Sequence, residues 1–100
     1  EILIKNISGN NGLTFNGTIT NGNYQTALVN NQGSLNVGGD ISGSGSVILS
    51  NSGNGLNVTS SSDLSSTSEV KIVNTGTTNA TLNGNIAAPN GRILYEQLKK

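Results

Sequence analysis

Apolar residues along this chain come in short alternating sets rather than in long runs. Leu13 and Phe15 flank Thr14, Leu35 and Val37 flank Asn36, Leu56 and Val58 flank Asn57, and Ala80 and Leu82 flank Thr81. Alternation of this kind sends the outer pair to one side and the middle residue to the other, as in a half-buried strand. A second set precedes each of these: Ile2 and Ile4, Thr26 and Leu28, Val47 and Leu49, Val70 and Ile72. Two residues beyond each stands an asparagine: Asn6, Asn30, Asn51 and Asn74. A third apolar position closes each copy at Ile19, Ile41, Leu64 and Ile86, in steps of 22, 23 and 22 residues. Ile93-Leu94-Tyr95 opens a further round.

A unit this small, with three short apolar segments, cannot bury a face alone. Stacking successive units at about 4.8 Å closes a continuous core. The pattern therefore predicts an all-β chain, a right-handed parallel β-helix (β-solenoid) of about four coils of roughly 22 residues. The coils fall at about 2–24, 25–45, 46–68 and 69–91, with the start of a fifth at 92–100. The expected core is Leu13, Phe15, Ile19, Leu35, Val37, Ile41, Leu56, Val58, Leu64, Leu82 and Ile86. The longer polar stretch Thr59 to Asp63 is expected to bulge outward at a corner without disturbing the stack. The charged tail Tyr95 to Lys100 is the only amphipathic helical candidate, or else a partial cap. With no obvious cap at either end, the chain reads as an excerpt of a longer solenoid.

Composition removes most chemistry. Asn, Gly, Ser and Thr make 54 of the 100 residues. Charged residues total 10%, balanced five against five, which leaves no basic footprint for nucleic acid or anionic membrane. There is no histidine and no cysteine, so thiol chemistry, disulfides, most metal sites and the common Ser/His triad are excluded. No apolar run approaches the ~18 residues of a membrane span. Polar composition alone would suit disorder; the repeat argues for a fold.

Few residues remain as candidates. Asn6, Asn30, Asn51 and Asn74 recur at one place in every coil. Asparagine tolerates the left-handed backbone of a sharp corner, and stacked amides can bond along a column. They are read as a structural ladder. Asp40 and Asp63 both precede a closing aliphatic residue, so adjacent coils bring them together. Paired carboxylates about 5 Å apart serve retaining glycosidases or hold calcium. Thr18 and Asn85 replace them in the other coils, and no Arg, Lys or third acid matches them, so they are weak metal candidates and are read as solvated corner residues. The reading assigns no catalytic residue and no cofactor. Gly38-Gly39-Asp40 matches the opening of the calcium-binding nonapeptide, but that motif needs iteration and occurs once. The outward column Thr14, Asn36, Asn57, Thr81 lacks the Thr-x-Thr ranks of an ice-binding face.

The stretches "GLTFNGTI", "SLNVGGDI", "GLNVTSSSDL", "ATLNGNI" and "GNIAAPNGRILY" together resemble the shaft repeats of filamentous-haemagglutinin-like exoproteins, secreted by the two-partner route. Autotransporter passengers build similar coils. The resemblance spans essentially the whole chain through a degenerate motif. It implies a non-enzymatic rod segment of a secreted bacterial surface adhesin, holding distal regions away from the cell. It also implies partners reached through the parent molecule, namely cell-surface glycans or proteins of host or bacterium, with neighbouring coils or end-to-end copies as the direct contacts. Neither nucleic acid nor membrane insertion is expected.

Two rivals differ in kind. A polysaccharide-binding or polysaccharide-cleaving β-helix, like a tailspike or lyase, needs clustered acids with a basic or aromatic partner, and only Asp40 and Asp63 are on offer. A self-assembling extracellular fibre subunit of the curli type needs regularly placed glutamines. Gln25, Gln32 and Gln97 are the only three, and the repeat places none of them in register.

Overall fold

The computed structural model describes residues 1–8 and 11–98. Its strands come in rounds of three. The first round is β1 (Ile2–Asn6), β2 (Leu13–Phe15) and β3 (Thr18–Thr20); the second is β4 (Thr26–Asn30), β5 (Leu35–Val37) and β6 (Asp40–Ser42). The third is β7 (Val47–Asn51), β8 (Leu56–Val58) and β9 (Asp63–Ser65). The fourth is β10 (Glu69–Asn74), β11 (Thr81–Leu82) and β12 (Asn85–Ala87), and β13 (Arg92–Gln97) begins a fifth. No helix occurs among the described residues.

Each strand pairs in parallel with the strand three further along. This gives one five-stranded sheet, β1-β4-β7-β10-β13, and two four-stranded sheets, β2-β5-β8-β11 and β3-β6-β9-β12. Consecutive strands always lie in different sheets, so the chain winds round a common core as a β-solenoid. Val47 pairs with Val70 and Val70 with Ile93, a turn of about 23 residues and about four turns in all.

Parallel register stacks like on like. Leu13 sits on Leu35 and Leu35 on Leu56; Phe15 sits on Val37 and Val37 on Val58. Ile19, Ile41, Leu64 and Ile86 form the third column. Leu35, Val37, Ile41, Leu56, Val58 and Leu64 are fully buried, while Leu13, Phe15, Ile19, Leu82 and Ile86, in the outer coils, pack against them half-buried. The five-stranded sheet adds Leu28, Val47, Leu49, Val70 and Ile72 to the same cluster. Each such aliphatic side chain contributes about 1.5–3 kcal/mol when removed from water. Burial is complete only where a coil is covered on both sides, the expected behaviour of a one-dimensional stack.

The tail, the one amphipathic candidate for a helix, is strand over its described residues 95–97, and residue 98 follows the strand. Tyr95, Glu96 and Gln97 belong to β13, which pairs along β10 from Glu69↔Arg92 to Asn74↔Gln97. The open edge of β10 offers backbone partners that a six-residue helix, too short to hold itself together, could not match. Lys99 and Lys100 lie outside the described residues.

Two corner features have causes that the sequence pattern did not specify. Thr59, Ser60 and Ser61 are exposed, as a bulge requires, but Ser62 is buried. Its hydroxyl donates to the Gly39 carbonyl of the coil beneath at 2.6 Å, so the longer corner is tied to the stack. Gly39 is required for proximity rather than for backbone freedom. A Cβ there would lie 1.8 Å from the Gly17 carbonyl oxygen, because the two corners cross almost in contact.

Candidate functional site

The asparagine column is the most ordered polar feature of the fold. Asn6 donates its side-chain N–H to Asn30 Oδ1 at 2.8 Å, Asn30 donates to Asn51 Oδ1 at 2.9 Å, and Asn51 donates to Asn74 Oδ1 at 2.9 Å. The second N–H of each amide turns to a backbone carbonyl: Asn30, Asn51 and Asn74 reach Gly33, Asn54 and Thr78 in the corner that follows each, and Asn6 reaches Gln32 in the next coil, at 2.8 to 3.2 Å. The oxygens of Asn51 and Asn74 also accept from the backbone N–H of Gly53 and Gly76. Asn30, Asn51 and Asn74 are buried.

The ladder does not use left-handed asparagines. No non-glycine residue among the described residues has a positive φ. The four asparagines end regular strands and point inward, and the corner after Asn30 is turned by Gly33, at φ 70°. The reason lies in burial: an inward amide at a strand end can satisfy both a corner carbonyl and the next rung, which an outward one cannot.

The column also extends one residue beyond the asparagines. Asn74 donates to Gln97 Oε1 at 2.9 Å, and that oxygen accepts further from the Ala80 N–H at 3.0 Å and the Tyr95 hydroxyl at 2.6 Å. Gln97 is thus in register with the ladder, contrary to the reading that no glutamine is. Its extra methylene hid the equivalence in a search for repeated asparagine. From Asn30 to Asn74 the amide donors and acceptors are committed to one another and to corner carbonyls; the chemistry of the ladder is to hold coil upon coil at fixed register.

Asp40 and Asp63 do stack at one corner, on neighbouring strands of the β3-β6-β9-β12 sheet, about 4.8 Å apart in the pairing direction. Asp40 Oδ1 accepts the backbone N–H of Asp63 at 2.9 Å, and Asp63 Oδ1 accepts the Asn85 amide at 2.9 Å. Both are exposed. The pair therefore climbs a hydrogen-bonded stair on the surface instead of facing across a groove, as a glycosidase pair must. No group of three His, Cys, Asp or Glu side chains that could hold a metal occurs among the described residues.

A second outward column carries the bond Asn57 Nδ2 to Asn36 Oδ1, 2.9 Å. A shallow cavity of about 360 Å³ lies beside the corners that follow β4 and β7, lined by Asn31, Gln32, Gly33, Ser52, Gly53, Asn54 and Thr77. It has no charged or aromatic wall, so it supplies neither a catalytic group nor a stacking platform. On the inner side, Asn21 donates to Thr26 Oγ1 and to the Gly45 carbonyl, both at 3.2 Å. These bonds join the first and second coils, from the corner before β4 to the corner before β7.

The feature missed by the repeat reading is the outer face of the five-stranded sheet. Between the inward positions of β1, β4, β7, β10 and β13 lie Leu3, Ala27, Ile48, Lys71 and Leu94 in one outward column. Lys5, Val29, Ser50, Val73 and Glu96 form the next. The signal was present in the unbroken apolar runs within "EILIK", "TALVN" and "SVILS", and in "EVKIV", where Lys71 breaks the run; alternation alone assigns such a run to one face only. Comparison with protein-family models, with curated proteins and with solved structures finds no match to this chain.

Proposed function

We propose that the chain is a structural rod segment of a secreted bacterial surface protein of the adhesin type, one that spaces distal regions from the cell and performs no catalysis itself. The observation that supports this most directly is the open end of the stack. Ile93 and Tyr95 pair in register with the buried Val70 and Ile72, yet they remain 51% and 44% exposed. Inward apolar positions of this kind can accept a further coil, from the same chain or a second copy, so the stack is of a kind that lengthens into a rod. The committed amide ladder and the solvated aspartates are what a spacer needs, since each side chain serves the stack.

An antibody raised against this chain tests the reading on intact cells that produce the parent protein. Surface labelling that disappears after mild external proteolysis is expected, together with a rod that shortens by about 4.8 Å when one coil is deleted. An antigen confined to the cytosol would overturn it. The same open face supports a second reading, end-to-end stacking of separate chains into a fibre. Light scattering across a concentration series separates the two: length that grows without limit favours the fibre.

A further inference from the structure

The outer face of the five-stranded sheet is self-complementary when one copy is turned end over end. Consider a two-fold axis lying in the interface, parallel to the strands and passing over β7. It preserves strand direction and reverses the order of the coils, so each outward column faces itself in reverse.

In the column Lys5, Val29, Ser50, Val73, Glu96, this places Lys5 of one copy opposite Glu96 of the other, and Glu96 opposite Lys5. Val29 then meets Val73, and Ser50 meets itself on the axis. In the neighbouring column Leu3 meets Leu94, Ile48 meets Ile48, and Lys71 lies over Ala27, a charge this pairing leaves without an opposite partner. The position before β1 adds no charge pair: Arg92 is already bound to Glu69 of its own chain at 2.6 Å and Glu1 accepts from Gln25 at 2.6 Å, so the cross-copy charge pairing rests on Lys5 and Glu96. Beyond the strands, backbone bonds carry the register on: Asn31 N–H donates to the Asn6 carbonyl and Leu98 N–H to the Asn74 carbonyl. Ile7, 63% exposed, and Leu98, 58% exposed, thereby become the outermost pair. Nowhere in these columns does reversal oppose like charges.

From this complementarity we infer that two copies of the chain pair laterally and antiparallel through this sheet face. The other two-fold choice, along the solenoid axis, sets Lys5 against Leu3 and Glu96 against Leu94 and wastes both charges. The face spans five strands at about 4.8 Å and seven positions at about 3.3 Å, roughly 500 Å² a side. A pair buries roughly 1,000 Å² in total, the lower bound for a specific interface, so the contact is weak and reversible. The inference stands apart from the rod reading: it concerns the side of the solenoid, not its ends.

Sedimentation equilibrium of the whole chain tests it, with circular dichroism melts to establish that each variant is folded. A monomer–dimer equilibrium with a dissociation constant on the order of micromolar to millimolar is expected. Lys5→Glu alone and Glu96→Lys alone each weaken association roughly tenfold, because both symmetry-related contacts turn repulsive. The double variant recovers it. So does an equal mixture of the two single variants, in which every altered charge meets its opposite; a folding defect would not be rescued by mixing. Ile48→Lys, on the axis, abolishes the dimer. A monomer at all concentrations would overturn the inference, as would dimers indifferent to both charge reversals. Oligomers that survive Ile48→Lys and vanish in Ile93→Lys would overturn it in favour of end-to-end stacking.

Discussion

Asn51 donates to Asn74 Oδ1 across 2.9 Å while its own oxygen accepts from Asn30 at 2.9 Å. The two residues are 23 positions apart in sequence and adjacent in space, both nearly inaccessible to solvent. In this environment a polar side chain is stabilising only as part of a complete network, since each unpaired group carries its full desolvation penalty.

Asn51→Leu is accordingly predicted to destabilise the chain by about 2–4 kcal/mol. It strands the Asn30 amide and the Asn74 oxygen together with the Asn54 carbonyl, although the new side chain fills the space. Asn6→Leu, at the half-buried first rung, is predicted to lose about 1 kcal/mol or less, because water replaces the partner. Chemical denaturation of the two variants measures the gradient, and equal losses would mean that the column does not act as a cooperative spine.

Gly39 and Gly17 occupy the same corner in adjacent coils, yet they are predicted to differ sharply. A Cβ on Gly39 would meet the Gly17 carbonyl oxygen at 1.8 Å, whereas a Cβ on Gly17 meets only the Phe15 ring at 3.5 Å. Gly39→Ala must therefore push the two coils apart and is expected to lose about 3 kcal/mol or more. Gly17→Ala makes an ordinary contact and is expected to be neutral within about 0.5 kcal/mol. Thermal melts of the pair decide whether the glycine is needed for proximity or for corner conformation, since the latter would penalise both.

Much of this was legible in the residues themselves. Period-two alternation fixed which of Leu35, Asn36 and Val37 turn inward, and the spacing of Ile19, Ile41, Leu64 and Ile86 fixed the stacking. Other features were hidden for physical reasons. The ladder's continuation in Gln97 depends on side-chain reach rather than identity. The burial of Ser62 depends on how a longer corner folds back over Gly39. The outer face of the five-stranded sheet escaped notice because Ile48 lies between the inward Val47 and Leu49, of equal hydrophobicity, and Val73 directly follows the inward Ile72. An apolar run carries no phase, and only the register shows that its alternate members form a second surface.

Asp40 and Asp63 can be tested as a site by removing charge while keeping shape. An asparagine oxygen at position 40 can still accept the Asp63 N–H that Asp40 Oδ1 now accepts at 2.9 Å. Asp40→Asn is thus expected to leave stability within about 0.5 kcal/mol of the parent. Calorimetric titration of the parent with calcium is expected to show no heat of specific binding, and incubation with acidic and neutral polysaccharides no cleavage. Cleavage that is lost in Asp40→Asn would assign the pair a catalytic role after all.

The ladder further predicts a pH dependence that the parent chain should lack when a carboxyl is placed in it. Asn51→Asp leaves an oxygen to accept from Asn30 but, when ionised, no donor for Asn74 Oδ1, and it buries a charge. Burial raises the carboxyl's folded-state pKa above its unfolded value of about 3.9. The folded state then holds the proton more tightly than the unfolded one, so stability falls as pH rises between the two values. Below about pH 3.9 the protonated group can donate its O–H to Asn74, and the variant should approach the parent. Above the raised folded value the full loss is present, greater than that of Asn51→Leu because an unpaired charge is buried with the unsatisfied amide. Denaturation midpoints for the parent, Asn51→Asp and Asn51→Leu from pH 3 to pH 8 give the comparison. A variant difference that stays flat across this range would mean that water reaches the column and that the amides are not the enclosed spine their geometry describes.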